Sequence, residues 1–194
     1  MNDNRLFLSN SYAQVYDELI DPDLLEPVET IIRNRGFRYG WHSSKNIIYS
    51  HWNMGFSATG NPSKNRKDIR SEVPKVLLEL WQSIQPIVCP NSPVLIRAYC
   101  NAYTYGNDGY VHKDSDFEND MTIIIYLNQQ WQIDWAGETV LFDKGEIIHA
   151  ILPKYRRLIV FRSNLEHVGR SVSRVCPVLR GVLVFKSRPE ETEK

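Results

Sequence analysis

His112 and Asp114 stand two positions apart in the stretch GYVHKDSD, residues 109–116. On an extended segment, side chains two apart point to one face. An imidazole and a carboxylate placed so can grip one metal ion together. That pair suits Fe(II), Mn(II) or Zn(II) better than Ca or Mg. An HxD pair arises readily by chance, so a third ligand has to decide. Asp116 is either an acceptor for the ring N–H of His112 or part of the turn in DFEND, and the turn is the favoured reading. Lys113 points away from the pair, toward solvent.

Two later histidines compete for the third place. His149 lies inside GEIIHAILP with apolar neighbours on both sides, and reads as a strand residue satisfied locally. His167 follows RRLIVFRSNLE, an apolar strand that ends in a polar turn. Strand ends at the rim of a β core are where binding residues gather. His112, Asp114 and His167 would form the set of two histidines and one carboxylate, with open coordination positions, found in non-haem iron sites. Arg180, in VLRGVLVFK, enters the last apolar strand. It is either a strand-end arginine in water or a buried guanidinium that clamps an incoming carboxylate. Arg170 and Arg174 are its rivals for that role.

The elements that must hold these groups show in the apolar pattern. After Pro93 come VLIRAYCNAYTYG, DMTIIIYLN, GETVLFD, GEIIHAILP, YRRLIVFRS and VLRGVLVFKS, separated by turn residues. With shorter pieces around 109–113 and 166–173 they make about eight strands, the pattern of a sandwich or barrel. No helical segment separates them, which argues against a parallel α/β sheet. Earlier, 21–37 and 71–88 have apolar residues at helical spacing, with Asp-Pro and Ser71 as starts and Gly36 as a stop. The expected fold is mainly β with N-terminal helices: a jelly roll, or double-stranded β-helix, of about eight strands. The expected layout is one domain over 1–194. Residues 1–92 form a helical and loop layer, 93–186 the jelly-roll core and 187–194 a disordered tail.

Composition narrows the class. The chain has 194 residues, 42% of them hydrophobic, which is enough for a real core. Lysine plus arginine equals aspartate plus glutamate, 23 each, so no broad nucleic-acid footprint is expected. Cys89, Cys100 and Cys176 lack metal or disulfide spacing and read as reduced thiols. No signal peptide or membrane span is apparent. The expectation is a cytoplasmic protein with no membrane or nucleic-acid partner and an open oligomeric state.

The ordered set of an aromatic run, HxD, YLN, W-A-G-E, RLIVF, histidine and arginine resembles the 2-oxoglutarate- and iron(II)-dependent dioxygenases, in their prolyl 4-hydroxylase-like branch. The resemblance covers roughly residues 94–186. It implies His112, Asp114 and His167 as iron ligands, the last two 53 positions apart. It implies that Arg180 binds the distal carboxylate of 2-oxoglutarate, joined by Tyr126 and by Tyr103, with Tyr105 an equal candidate for that third place. Trp135-Ala136-Gly137-Glu138 is similar to the family's W-G-G-E turn. The gap of 13 from His167 to Arg180 is longer than in many prolyl hydroxylases and keeps Arg174 open. The implied cofactor is Fe(II), with 2-oxoglutarate and O2 as cosubstrates and ascorbate in support. The implied activity is hydroxylation of a prolyl or other residue in a protein or peptide. A free amino acid or small molecule as substrate, or a non-catalytic cupin-like ligand-binding protein, are the competing readings. Trp41, Tyr49, Trp52 and Phe56, followed by Lys64, Arg66, Lys67 and Arg70, are either a lid over a peptide or a strand pair with a solvated basic loop.

Overall fold

A computed structural model describes residues 5–42, 46–57 and 66–190 of the chain. Leu6–Ser9 (β1) and Ala13–Tyr16 (β2) pair as an antiparallel hairpin. Asp21 then caps the first helix, Pro22–Arg35 (α1), its carboxylate accepting from the Asp23 N–H at 3.0 Å. Pro22 opens the helix and Gly36, at φ 70°, closes it, a backbone conformation that favours glycine. Arg38–Trp41 (β3) and His51–Gly55 (β4) pair next. The second helix, Lys75–Val88 (α2), begins after Pro74 and not at Ser71, because a proline disfavours helical backbone at the residue before it. Then come Val94–Tyr103 (β5), Met121–Tyr126 (β6), Thr139–Asp143 (β7), Glu146–Ile151 (β8), Leu158–Arg162 (β9), Glu166–Gly169 (β10) and Arg180–Arg188 (β11).

The strands form two antiparallel sheets, the larger in the order β1-β2-β9-β6-β11-β5-β4-β3 and the smaller β10-β7-β8. This is the expected jelly-roll architecture. It differs from expectation in its first third. Four strands of the large sheet come from residues 6–55, where helix and loop with at most a strand or two were expected. Each is only four or five residues long, and all of β3 is exposed, so no period-two signal marks them. The tail also starts later than expected. Ser187 is fully buried and Arg188 pairs with Val94, so β11 continues through both. Residues 191–194 lie outside the described residues.

Period-two alternation divides the core. On β6 and β11, Ile123, Ile125, Leu183 and Phe185 face the helices, where they pack with Leu25, Val28, Leu77, Leu80 and Trp81. Ile124, Tyr126, Val182 and Val184 face the small sheet and meet Leu141 and Ile151. The inner face of β11 therefore runs Arg180, Val182, Val184, Lys186, with a buried cation at each end of an apolar middle. No helix among the described residues is long and apolar enough to cross a membrane.

The helix layer holds the large sheet in shape from behind. Trp81 is 1% exposed and its ring lies 5.5 Å from that of Phe185. Trp81→Ala is expected to lower the unfolding free energy by about 3–5 kcal/mol, read by urea denaturation.

Candidate metal centre

His112 and His167 sit opposite each other as a two-residue antiparallel bridge. Each backbone N–H donates to the other's carbonyl, at 3.1 and 3.0 Å. The bridge holds the segment after β5 against β10. Gly109 permits the approach, since a Cβ there would lie 2.6 Å from the Gly169 carbonyl oxygen. The segment 109–113 is otherwise not a strand, contrary to expectation, and its register comes from these few bonds. The Asp114 N–H donates to the Ser163 carbonyl at 2.8 Å, which anchors the carboxylate beside the end of β9.

Both imidazoles are oriented by their own backbone. His112 donates from Nδ1 to the Tyr110 carbonyl at 2.6 Å, and His167 from Nδ1 to the Leu165 carbonyl at 2.9 Å. A carbonyl only accepts, so these protons are fixed on Nδ1 and each neutral ring presents its Nε2 lone pair. The two Nε2 atoms face Asp114, at 3.3 Å from Oδ1 and 3.4 Å from Oδ2. One ligand atom from each residue lies within 4.8 Å of the others. Two lone pairs turned on a carboxylate repel unless a cation stands among them. The donor set suits a divalent transition metal, and the residues present fit iron.

Asp114 is buried, its side chain 2% exposed. Burial opposes its ionisation, yet the Lys186 ammonium beside it holds its carboxyl well below the usual carboxylate range. Lys186 Nζ donates to Oδ1 at 2.5 Å and Thr122 Oγ1 to Oδ2 at 2.8 Å. Burial lowers the pKa of Lys186 while Asp114 raises it. Neither Lys186 nor Thr122 was expected at the site. The available signal was the lysine that ends VLVFK on the same strand face as Arg180.

The other expected residues sort by burial. Asp116 and Lys113 are exposed, and the ring N–H of His112 goes to Tyr110, not to Asp116. His149 lies on β8 with Nε2 2.6 Å from the Asn10 amide nitrogen, outside the cluster. Arg180 is 1% exposed, whereas Arg170 and Arg174 are exposed. Arg180 donates from Nε to the Gly137 carbonyl and from Nη2 to Thr139 Oγ1 at 2.8 Å. Its Nη1 has no hydrogen-bond partner among the described residues. The guanidinium carbon lies 5.3 Å from the Tyr103 ring centre and 5.2 Å from that of Tyr126. Burial pushes the Tyr103 hydroxyl up to about 12. The Tyr126 hydroxyl is 2.7 Å from Thr139 Oγ1 and 2.9 Å from the Ile151 carbonyl. Tyr105, the alternative to Tyr103, is 68% exposed. The long gap before Arg180 is taken up by a loop that pairs Val172 with Ala136 and ties Ser173 to the Asp134 carbonyl. Gly137 is needed where it stands, at φ 80°, because a Cβ would meet Trp131 and Arg180 at 3.0 and 3.1 Å.

His51 is a residue that sequence reasoning missed. It is 1% exposed and stacks on Tyr103 at 4.9 Å. Its Nδ1 donates to the Tyr49 carbonyl, and its Nε2 is the buried side-chain polar atom without a hydrogen-bond partner among the described residues. Burial lowers its pKa, which leaves Nε2 an open acceptor. Outside the pocket, Trp41 and Tyr49 are exposed or half-buried, and Tyr49 packs on Tyr110 at 5.1 Å. Trp52 packs on Tyr39, and Phe56 is buried. Arg66 pairs with Asp120, Lys67 with Glu72 and Arg70 with Asp68, so these basic groups are spent on local acids. Lys64 lies outside the described residues.

Residues 98–184 match the family model of the 2OG-Fe(II) oxygenase superfamily. No curated protein matches the chain in sequence. Many solved structures are similar in fold, among them the following three. A prolyl-4-hydroxylase of Pseudomonas putida is 17% identical, with 93% of this chain and 95% of that one covered and a TM-score of 0.63. An oxidoreductase of the 2OG-Fe(II) oxygenase family from Burkholderia pseudomallei is 14% identical, with 91% and 84% covered and a TM-score of 0.69. A prolyl hydroxylase from Trichoplax adhaerens, in complex with a hypoxia inducible factor oxygen degradation domain peptide fragment, is 14% identical, with 93% and 84% covered and a TM-score of 0.62.

Removing the Asp114 charge strands a buried ammonium. Asp114→Asn is expected to destabilise the metal-free protein by about 3–5 kcal/mol at neutral pH. The folded carboxyl titrates below its unfolded value of about 3.9. Its contribution is therefore full above that value and is lost as pH falls through the folded pKa. The stability gap between wild type and variant should be constant from pH 6 to 8 and close in acid, as read by denaturant unfolding at each pH.

Proposed function

Because residues 98–184 match the 2OG-Fe(II) oxygenase superfamily, we propose that the chain hydroxylates a prolyl or other residue of a protein or peptide. It is a 2-oxoglutarate-dependent dioxygenase, and the cofactor chemistry of its family is that of Fe(II), 2-oxoglutarate and O2. His112, Asp114 and His167 hold the iron. The observation that carries this reading is the convergence of both Nε2 atoms on the Asp114 carboxylate, with the Nδ1 protons already committed elsewhere.

When bound, iron would couple O2, the oxidant, to the oxidation of 2-oxoglutarate to succinate and CO2 and of the substrate to its hydroxylated product. The chain supplies position and a dry pocket. Arg180 receives the distal carboxylate of 2-oxoglutarate. Gly137 and Thr139 fix Nε and Nη2, and the unspent Nη1 remains for the ligand. Tyr103 and Tyr126 flank the guanidinium and exclude water from it. Val182 and Val184, between Arg180 and Lys186, keep the middle of the pocket apolar. His51 Nε2 waits for a donor group at the wall beside Tyr103.

The peptide reading is supported by the surface around the site. Tyr39, Trp41 and Tyr110 are 56%, 38% and 43% exposed, and the Tyr110 carbonyl holds His112. β3, at the end of the large sheet, is exposed throughout. Exposed aromatics on and near a strand that no further strand pairs among the described residues fit an extended peptide, which such edges bind through main-chain hydrogen bonds. The Trichoplax relative is a precedent for a peptide at a site on this fold.

Purified protein supplied with Fe(II) should form succinate from 2-oxoglutarate, and His112→Ala should abolish it. Arg180→Met should raise the KM for 2-oxoglutarate at least tenfold, while Arg174→Met leaves it unchanged. No succinate from wild type would refute the enzyme reading. Stimulation by free proline but by no prolyl peptide would move the substrate to the small-molecule class.

A further inference from the structure

We propose that Lys186 is the resident cation of the metal centre. Its ammonium balances Asp114 when no metal is bound, and it limits how tightly the three ligands hold a divalent ion. The inference rests on the iron-site reading above.

The geometry of Lys186 is specific. Its side chain is 10% exposed and its Nζ lies 2.5 Å from Asp114 Oδ1. It occupies the last inner-face position of β11 before the bulge at Ser187, opposite Arg97 on β5 and Thr122 on β6. The ammonium is not needed to orient the ligands. Thr122 already holds Oδ2, the backbone of Asp114 is tied to Ser163, and both imidazoles are fixed by carbonyls. What the lysine adds is a full positive charge in a buried place. Arg97, whose guanidinium carbon lies 4.2 Å from the Tyr99 ring centre, adds to the same positive field.

A divalent ion that takes an Asp114 oxygen stands one carboxylate away from that ammonium. Like charges so close, shielded from water by the two sheets, repel strongly. The carboxylate is therefore shared. The metal-free protein keeps a neutral Asp114–Lys186 pair in place of a bare buried anion, and the metal binds against the lysine charge. Replacing Lys186 by a neutral residue of similar length should tighten metal binding, provided that charge and not orientation is its role.

The test is titration of the metal-free full chain with Co(II), followed by visible absorption without 2-oxoglutarate. Lys186→Met and Lys186→Gln should each bind Co(II) at least tenfold more tightly than wild type, and Lys186→Arg within threefold of it. Both neutral variants should unfold at lower temperature than wild type when metal-free, and recover that loss when Co(II) is added. Equal or weaker Co(II) binding by the neutral variants overturns the proposal. So does wild-type affinity in Lys186→Gln with altered affinity in Lys186→Met, which would assign orientation by hydrogen bonding. Neutral variants that stay unfolded even with Co(II) also overturn it, because the metal should supply the missing charge. If wild type itself takes up no Co(II), the iron-site reading fails, and with it this inference. If wild type binds and the variants bind no better, only the inference fails.

Discussion

A carboxylate removed from water needs partners on every side, and the fold around the site is arranged to bring them to Asp114. Its oxygens meet a lysine from β11 and a threonine from β6, and its backbone is tied to the end of β9. Two imidazoles complete the ring, one from β10 and one from the segment bridged to it. Both sheets therefore contribute to one anion. The site exists only where they face each other, which is why it lies in the sandwich and not on an outer surface. The same constraint bears on its chemistry: with the Nδ1 protons committed to carbonyls, two Nε2 atoms and the carboxylate face one another beside the Lys186 ammonium, a donor set that could hold a metal ion.

The inner face of β11 links this centre to the second half of the pocket. Lys186 and Arg180 stand on one strand face with two valines between them. The opposite face of the same strand packs Leu183 and Phe185 on the helices. Strand alternation thus does two things with one sequence run. It seals the back of the sheet, and it spaces two buried cations along the front. A one-residue slip of β11 would bury the cations under the helices and turn Leu183 and Phe185 into the pocket, so the packing of α1 and α2 also guards the register of the site.

The turn around Gly137 shows how a loop is recruited to the same purpose. Two successive positive φ angles, at Ala136 and Gly137, aim the Gly137 carbonyl at Arg180 Nε. The loop from 170 to 179 closes over that turn through the Val172 bridge and the Ser173 hydroxyl. The residues of this cover lead directly into the strand that begins at Arg180.

The amino-acid sequence determined the ligand types, the β character of the second half and the two helices, because each leaves a local trace: HxD spacing, β-branched runs, helical periodicity and a capping Asp21. It also singled out Arg180, since a cation at the head of an apolar strand is anomalous wherever the strand lies. What it left open needed long-range pairing. Arg180 and Arg174 are alike in sequence, and only burial between Tyr103 and Tyr126 separates them. The strands of the first third carry at most two or three residues per face, too few for a pattern, and exist because longer strands offer them edges. Lys186, Thr122 and His51 join the pocket from three different strands. Their roles were decided by sheet register and alternation, which place residues far apart in the chain on one face.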